Sequence, residues 1–279
     1  MQMTFPGLRP LSIKPPIKYF GGKTWASRQL IKFIPPGVME VVSPFLGGGS
    51  FELVMTGRGI RVFGYDAYAP LTNFWQVLLD ESHDLTHMLR KTLAKFGENK
   101  DELDRFTQEF SSEIDLVDAA HRFLIRANFS FNGNFRESKF RNYHIDEDDN
   151  VIQTLGAKKL VIDYDRICGF FNPLLSVAQA DFRESLRRHP DTFAYCDPPY
   201  PECSAGYGDG PQYHEDFPHE DLARILHDRK SGWMLSYNNC DTVKSLYPSN
   251  KFRYVYPKWH HGSNYLNHKG NEVLIRPIG

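Results

Sequence analysis

The chain has 279 residues, 41% of them apolar, with 33 basic against 34 acidic side chains and a mean hydropathy of −0.47. That length suits one large α/β domain, or a core domain carrying a smaller insertion, and the apolar share supports a real core; the hydropathy and the lack of a long uncharged apolar stretch exclude a membrane-spanning helix. A net charge of −1 excludes a globally basic nucleic-acid binder, so any contact with a polyanion has to be local. The first 17 residues carry Pro6, Pro10, Pro15 and Pro16 but no apolar run behind a basic start, so no export is expected. The four cysteines, Cys168, Cys196, Cys203 and Cys240, form no CxxC pair and read as reduced thiols of a cytosolic protein.

In chain order, "MEVVSPFLGGGSFELVM" at 39–55 is an apolar, β-prone run that breaks at three glycines and resumes with helix-compatible residues. This predicts strand, tight turn and helix, with Ser50 as the cap and the glycines letting backbone approach a ligand. "IRVFGYD" at 60–66 predicts a second strand ending in Asp66, 17 residues after Gly49. An acid at that tip suits ribose hydroxyls, which points to a nucleoside-type ligand, although a GxGxxG phosphate pattern is absent.

From about residue 69 to 127 the apolar spacing turns helical, as in "LTNFWQVLLD" and "DLVDAAHRFLIRAN". "FSFNGNF" at 129–135 sets alternating aromatics around Asn-Gly, a hairpin signal. Residues 121–144 hold five basic side chains against the single acid Glu137, interleaved with aromatics and followed by "DEDD" at 146–149, so this surface is strongly polarised. Residues 70–172 are therefore expected to be an insertion between two parts, 1–69 and 173–279, of one α/β domain. The α/β signals return with "SVAQADF", "TFAYCDPPY", a helix over about 218–228, "GWMLSYNN", "FRYVY" and "NEVLIR".

"TFAYC" ends in "DPPY" at 197–200. As a buried strand it delivers Asp197 to its carboxyl end, where open α/β sheets bind ligands. Pro198 and Pro199 stiffen the backbone and have no N–H to donate. What remains is a carboxylate, a carbonyl acceptor at Pro198 and the flat ring of Tyr200. Two acceptors beside a stacking ring suit a planar heterocycle bearing an amino group, whose delocalised lone pair they draw toward an electrophile.

"KYFGGK" at 18–23, "SPFLGGGSFEL" at 43–53, "YDAY" at 65–68 and "CDPPY" at 196–200 together resemble, in order, the Dam family of adenine-specific DNA methyltransferases. Weaker likenesses are "ADF" at 180–182, "FNGNFR" at 131–136, "LSYNN" at 235–239 and "NEVLI" at 271–275. The resemblance implies a Rossmann-like sheet that binds S-adenosyl-L-methionine, with a mostly helical target-recognition insertion containing a β-hairpin. It implies that Tyr19, Lys23, Phe45, Gly47, Gly49 and Asp66 line the cofactor cleft, with Asp181 or Phe182 near the cofactor adenine. Asp197, Pro198, Pro199 and Tyr200 would grip an adenine flipped from duplex DNA, Asp197 also bordering the cofactor.

The same resemblance implies cytoplasmic action on double-stranded DNA without a metal, a membrane or an obligate protein partner; a cognate restriction endonuclease is the partner such enzymes have in restriction pairs. DNA contacts are expected from Lys18, Arg126, Asn132, Arg136, Lys139 and Arg141. Asn128 and Asn134 depart from the GATC-methylating pattern, so the target sequence stays open. Tyr207 and Tyr213 either close over the flipped base or order their own loop. His260, His261 and His268, with Lys258 and Lys269, are poorly spaced for a metal and read as a basic loop near the DNA. Two rivals stand beside this reading. One is a methyltransferase acting on an RNA base or a protein amide, whose relatives carry Asn where Asp197 stands. The other is a non-catalytic DNA-binding protein on a decayed methyltransferase fold, in which the tetrapeptide or glycine loop would have eroded.

Overall fold

The computed structural model describes residues 11–17, 19, 23, 26–97, 99–108, 115–129, 143–145, 151–155, 158–161, 164–201, 217–256 and 272–278. In chain order its elements are α1 (Ser27–Leu30), a 3-10 turn (Ile31–Phe33), β1 (Glu40–Ser43), α2 (Ser50–Thr56), β2 (Arg61–Asp66), α3 (Ala69–Asp80), α4 (Ser82–Phe96), α5 (Lys100–Gln108) and α6 (Leu116–Phe129). There follow β3 (Tyr143–Ile145), β4 (Val151–Leu155), β5 (Lys158–Val161), α7 (Tyr164–Cys168), β6 (Leu175–Gln179), α8 (Phe182–Arg188) and β7 (Phe193–Cys196). The C-terminal part adds α9 (His219–Asp228), β8 (Trp233–Asn238), α10 (Asp241–Leu246), β9 (Phe252–Val255) and β10 (Glu272–Pro277). Among the described residues, no helix is long and apolar enough to cross a membrane.

Seven strands form one sheet in the order β6-β2-β1-β7-β8-β10-β9. The pairs from β6 through β8 are parallel, and β10 runs antiparallel to both β8 and β9. A parallel sheet is covered on both faces, so its strands are apolar at successive positions and alternate residues enter opposite cores. Val41, Tyr195, Met234 and Leu274 lie in one buried cluster. Their neighbours Val42, Ala194, Cys196, Trp233, Leu235, Val273 and Ile275 lie in the other.

The expected insertion shares the first of these cores. Leu71, Phe74, Trp75 and Leu78 of α3, Leu85 and Leu89 of α4 and Phe123 and Leu124 of α6 are buried in the cluster that holds Val41 and Val62. The helical periodicity read over 71–80 and 115–128 corresponds to α3 and α6. The hairpin signal does not begin at Phe129, which is the last residue of α6 and fully buried; the remainder of 129–135 lies outside the described residues. A three-stranded antiparallel sheet, β3-β4-β5, stands further along and was not expected. Short strands with a mixed polar pattern, such as "KKLV", carry too little periodicity to announce themselves.

The topology locates a crevice. From β1 the chain turns through α2 to β2 on one side, and from β7 it turns through α9 to β8 on the other. Adjacent parallel strands whose connections diverge leave a cleft at their carboxyl ends. Two loops border it, one carrying Gly47 to Gly49 and the other Asp197 to Tyr200. The antiparallel β10 begins at the same edge, since Glu272 pairs with Asn238, the last residue of β8.

Gly49 fixes the first loop. Its φ is 66°, and a Cβ there would stand 2.6 Å from Cζ2 of Trp75. Gly37 also has a positive φ, 84°, but its added Cβ would meet nothing within 4 Å. Gly49→Ala is therefore expected to lower unfolding free energy by about 2–4 kcal/mol, because left-handed strain and overpacking add. Gly37→Ala carries the strain alone and is expected to cost about 1 kcal/mol. Urea unfolding of both variants measures the difference.

Candidate active site

The glycine loop is held by backbone hydrogen bonds and by one carboxylate. Leu46 N donates to Tyr65 O at 2.8 Å and Gly49 N to Leu46 O at 2.9 Å. Asp66, at the tip of β2, accepts from Gly47 N at 3.0 Å through Oδ2 and from Tyr68 N at 3.0 Å through Oδ1. Desolvation raises its pKa to about 6, against the lowering effect of these backbone donors. From above, Trp75 Nε1 donates to Gly47 O at 3.0 Å, and the half-buried Tyr19 ring lies against Gly47 and Gly48. The N-cap of α2 is Gly49, in the left-handed conformation, and not Ser50, which is the first residue of the helix.

Beside this loop three rings meet. Phe45 stacks on Phe182 at 5.8 Å and meets Phe217 edge-on at 5.6 Å, while Phe182 and Phe217 are 5.3 Å apart. Asp181 precedes Phe182 at the start of α8. It caps α8 by accepting from Arg183 N at 2.7 Å, and it pairs with the Arg183 guanidinium, which also reaches Asp221.

The second loop carries the charge. β7 is buried at all four positions, and Asp197 follows it directly with its side chain 17% exposed. Lys23 Nζ stands 2.9 Å from Asp197 Oδ1 and 3.1 Å from Glu272 Oε1. The Tyr200 hydroxyl donates to Glu272 Oε1 and reaches Asp197 Oδ1 at 3.4 Å. Lys23 Nζ also lies 4.8 Å from the centroid of the Tyr200 ring. Burial pushes the Asp197 carboxyl up, the Lys23 ammonium pulls it back down, and the Glu272 charge raises it again. Asn238 Nδ2 donates to Pro201 O at 2.9 Å and Tyr237 meets the Tyr200 ring edge-on at 5.9 Å, so the segment after Asp197 is held from β8.

Behind the site lies another carboxyl group. Glu52 is buried in α2 and accepts from Ser43 Oγ at 2.7 Å. Desolvation dominates its environment and raises its pKa to about 7. Cys196 is sealed in β7 and burial pushes its thiol up to about 12, which leaves it an inert packing residue.

The fold thus gathers Tyr19, Lys23, Phe45, Gly47, Gly49, Asp66, Phe182, Asp197, Pro198, Pro199 and Tyr200 around the carboxyl edge of the sheet. Arg126 is corrected. It is 8% exposed and bonds Asp104 at 2.9 Å and Thr107 at 3.3 Å, so it ties α6 to α5 and is withdrawn from the DNA contacts. Arg122 is buried likewise, against Asp118 and Phe106. Lys18, Asn132, Arg136, Lys139, Arg141, Cys203, Tyr207, Tyr213 and the histidine-rich stretch at 258–269 lie outside the described residues.

Sequence reading did not single out Glu272, Glu52, Phe217 or Trp75. An acid opening the otherwise apolar strand "EVLI" was the available signal for Glu272, since a buried carboxylate needs a partner.

Residues 19–262 match the family model of the D12 class N6 adenine-specific DNA methyltransferases. The chain belongs to that family, and membership implies a methyl donor. Among curated proteins, the "DNA adenine methylase" of two strains of Vibrio cholerae serotype O1, classical Ogawa and El Tor Inaba, is similar, in each case 25% identical over 188 residues. The match covers 66% of this chain and 64% of each relative, so the chain spans less than two thirds of the length of those relatives.

The buried Glu52 gives a pH signature. A folded-state pKa raised from 4.5 to about 7 means that the native state holds a proton the unfolded chain has already lost. Stability therefore falls as pH rises between those values, by up to about 3 kcal/mol. Glu52→Gln keeps the acceptor for Ser43 without the charge. It is expected to unfold at higher denaturant concentration than wild type at pH 8 and to match it at pH 4, as measured by urea titration at both.

Proposed function

We propose that the chain is a site-specific DNA adenine methyltransferase that transfers a methyl group from S-adenosyl-L-methionine to N6 of an adenine flipped out of double-stranded DNA, acting in the cytoplasm. The observation that carries the reading is the placement of Asp197 and the Tyr200 ring at the carboxyl end of β7, beside the glycine loop after β1, in a chain of this family.

The donor's fit is tested on the cleft itself. Asp66 accepts backbone N–H bonds from Tyr68, Gly47 and Ala67, and a carboxylate has about four lone-pair sites, so it can still receive a ribose hydroxyl. Phe45, Phe182 and Phe217 supply an aromatic face for an adenine ring, and Tyr19 and Gly47 border the same loop. These residues fit a nucleoside bearing a sulfonium, and the bound donor supplies an electrophilic methyl group.

The chain's residues do the rest. Tyr200 supports the base, and Asp197 with the Pro198 carbonyl accepts the two N–H bonds of the amine, concentrating its lone pair toward the methyl carbon. The amine nitrogen would take the methyl from the sulfur of the bound donor, which would leave as a thioether, and the Asp197 carboxylate, already on one N–H, would take the proton the nitrogen loses. Asp197 has to be ionised to accept, so the Lys23 charge that lowers its pKa favours the reactive form. DNA recognition is assigned to Lys18, Asn132, Arg136, Lys139 and Arg141, within and beside an insertion spanning about 70–172 whose first helix, α3, serves the sheet.

Labelled methyl groups from S-adenosyl-L-methionine are expected to appear as 6-methyladenine in unmethylated duplex DNA, and Asp197→Ala to reduce transfer at least ~100-fold while retaining cofactor binding. Label appearing in RNA or protein instead, read by nuclease and protease digestion, sinks the reading. Arg136→Ala is expected to weaken DNA binding and flatten its salt dependence by about one unit of slope with cofactor affinity unchanged, measured by fluorescence anisotropy across a salt series.

A further inference from the structure

The geometry around Lys23 contains two demands on one acceptor. Its ammonium is 6% exposed, stands 2.9 Å from Asp197 Oδ1 and lies 4.8 Å from the Tyr200 ring centroid. These are the carboxylate and the ring that the proposed reaction gives to the adenine amine. An amine that approaches Asp197 at Oδ1 competes with the ammonium already there, and a buried cation that loses its partner is costly. Glu272 offers the alternative. Its Oε1 lies 3.1 Å from the same ammonium, and its side chain is 4% exposed. β10 fixes it opposite Asn238, and its Oε1 also receives the Tyr200 hydroxyl.

We propose that Glu272 is a positioning residue for base capture: it shares Lys23 with Asp197 and holds the Tyr200 hydroxyl, so that Lys23 guards Asp197 in the free protein and withdraws onto Glu272 when the target amine arrives. This role rests on the adenine N6 reading of the site. It gives Lys23 a function at the acceptor end of the cleft, and it makes the carboxylate of β10 part of the reacting environment without touching the substrate. The surrounding charges agree, because the Glu272 charge raises the Asp197 pKa and the Lys23 charge lowers it.

The test uses the full chain with Glu272→Gln, Glu272→Asp and Lys23→Met. In Glu272→Gln, Lys23 loses the carboxylate onto which it withdraws, so kcat at saturating DNA and cofactor is expected to fall on the order of 10- to 100-fold with cofactor Kd within about twofold. The acid limb of kcat against pH moves to lower pH in Glu272→Gln, where a neighbouring negative charge is lost, and to higher pH in Lys23→Met, where the positive charge is lost. Glu272→Asp recovers part of kcat.

A second readout needs no catalysis. Acetylation of Lys23 by acetic anhydride, followed by mass spectrometry against the exposed Lys244, is expected to be about threefold faster or more in Glu272→Gln, because an ammonium that loses a carboxylate neighbour deprotonates more readily. An unmoved acid limb, a cofactor Kd and Tm that fall together with kcat, or an unchanged labelling rate overturns the proposal. A wild-type protein that methylates no adenine at any pH overturns the functional reading and the base-capture role with it, whereas those outcomes in a protein that does methylate adenine overturn the positioning role alone.

Discussion

The site depends on a charge that the fold must bury and therefore must balance. Asp197 is carried to the carboxyl edge of the sheet by a strand that is buried throughout, and a carboxylate there loses most of its water. Burying an ion without a partner costs several kcal/mol. The partner comes from Lys23 near the start of the chain and is shared with Glu272 near its end. One ammonium thus joins the N-terminal segment, the middle of the sheet and the last strand, and the cleft between the two loops is defined by that junction. The antiparallel pairing of β10 against β8 gains a purpose from it, since the register puts Glu272 opposite Asn238, whose amide in turn holds Pro201.

Much of this was legible in the sequence, for identifiable reasons. Strands buried on both faces write continuous apolar runs, so "VVS", "FAYC" and "WMLSY" announced the centre of the sheet, and glycines or prolines after such runs marked the loops that form the cleft. Asp66 was legible because an acid at the tip of a strand that follows a glycine turn is a pattern of nucleoside sites. Glu272 was marked only as an acid opening an apolar strand, because its partner Lys23 lies at the opposite end of the chain and so distant a pairing leaves no local spacing. Phe217 failed for the same reason: its contacts with Phe45 and Phe182 join segments far apart in the sequence.

Arg126 illustrates the opposite error. A basic stretch threaded with aromatics has the composition of a polyanion-binding face, yet α6 turns Arg122 and Arg126 inward, where Asp118 and Asp104 neutralise them. Composition counts charges without saying which are already spent. The acids that answer these arginines sit in α5 and in the preceding turn of α6, so the relevant balance is between helices. Ser50 shows how a sound local rule yields to packing: the left-handed Gly49 already shapes the start of α2, and the serine is drawn into the core.

The contact between Trp75 and the glycine loop bears on how such a protein could be re-engineered. Its indole N–H holds Gly47 O, and its ring fills the space that only a glycine at position 49 leaves open. Trp75 belongs to α3, the first helix after the sequence boundary at residue 70. A chimera that exchanged the segment beginning at that boundary would carry off the prop of the glycine loop with it. The natural joint for exchange lies beyond Asp80, where α3 ends, so that the helix stays with the loop it supports.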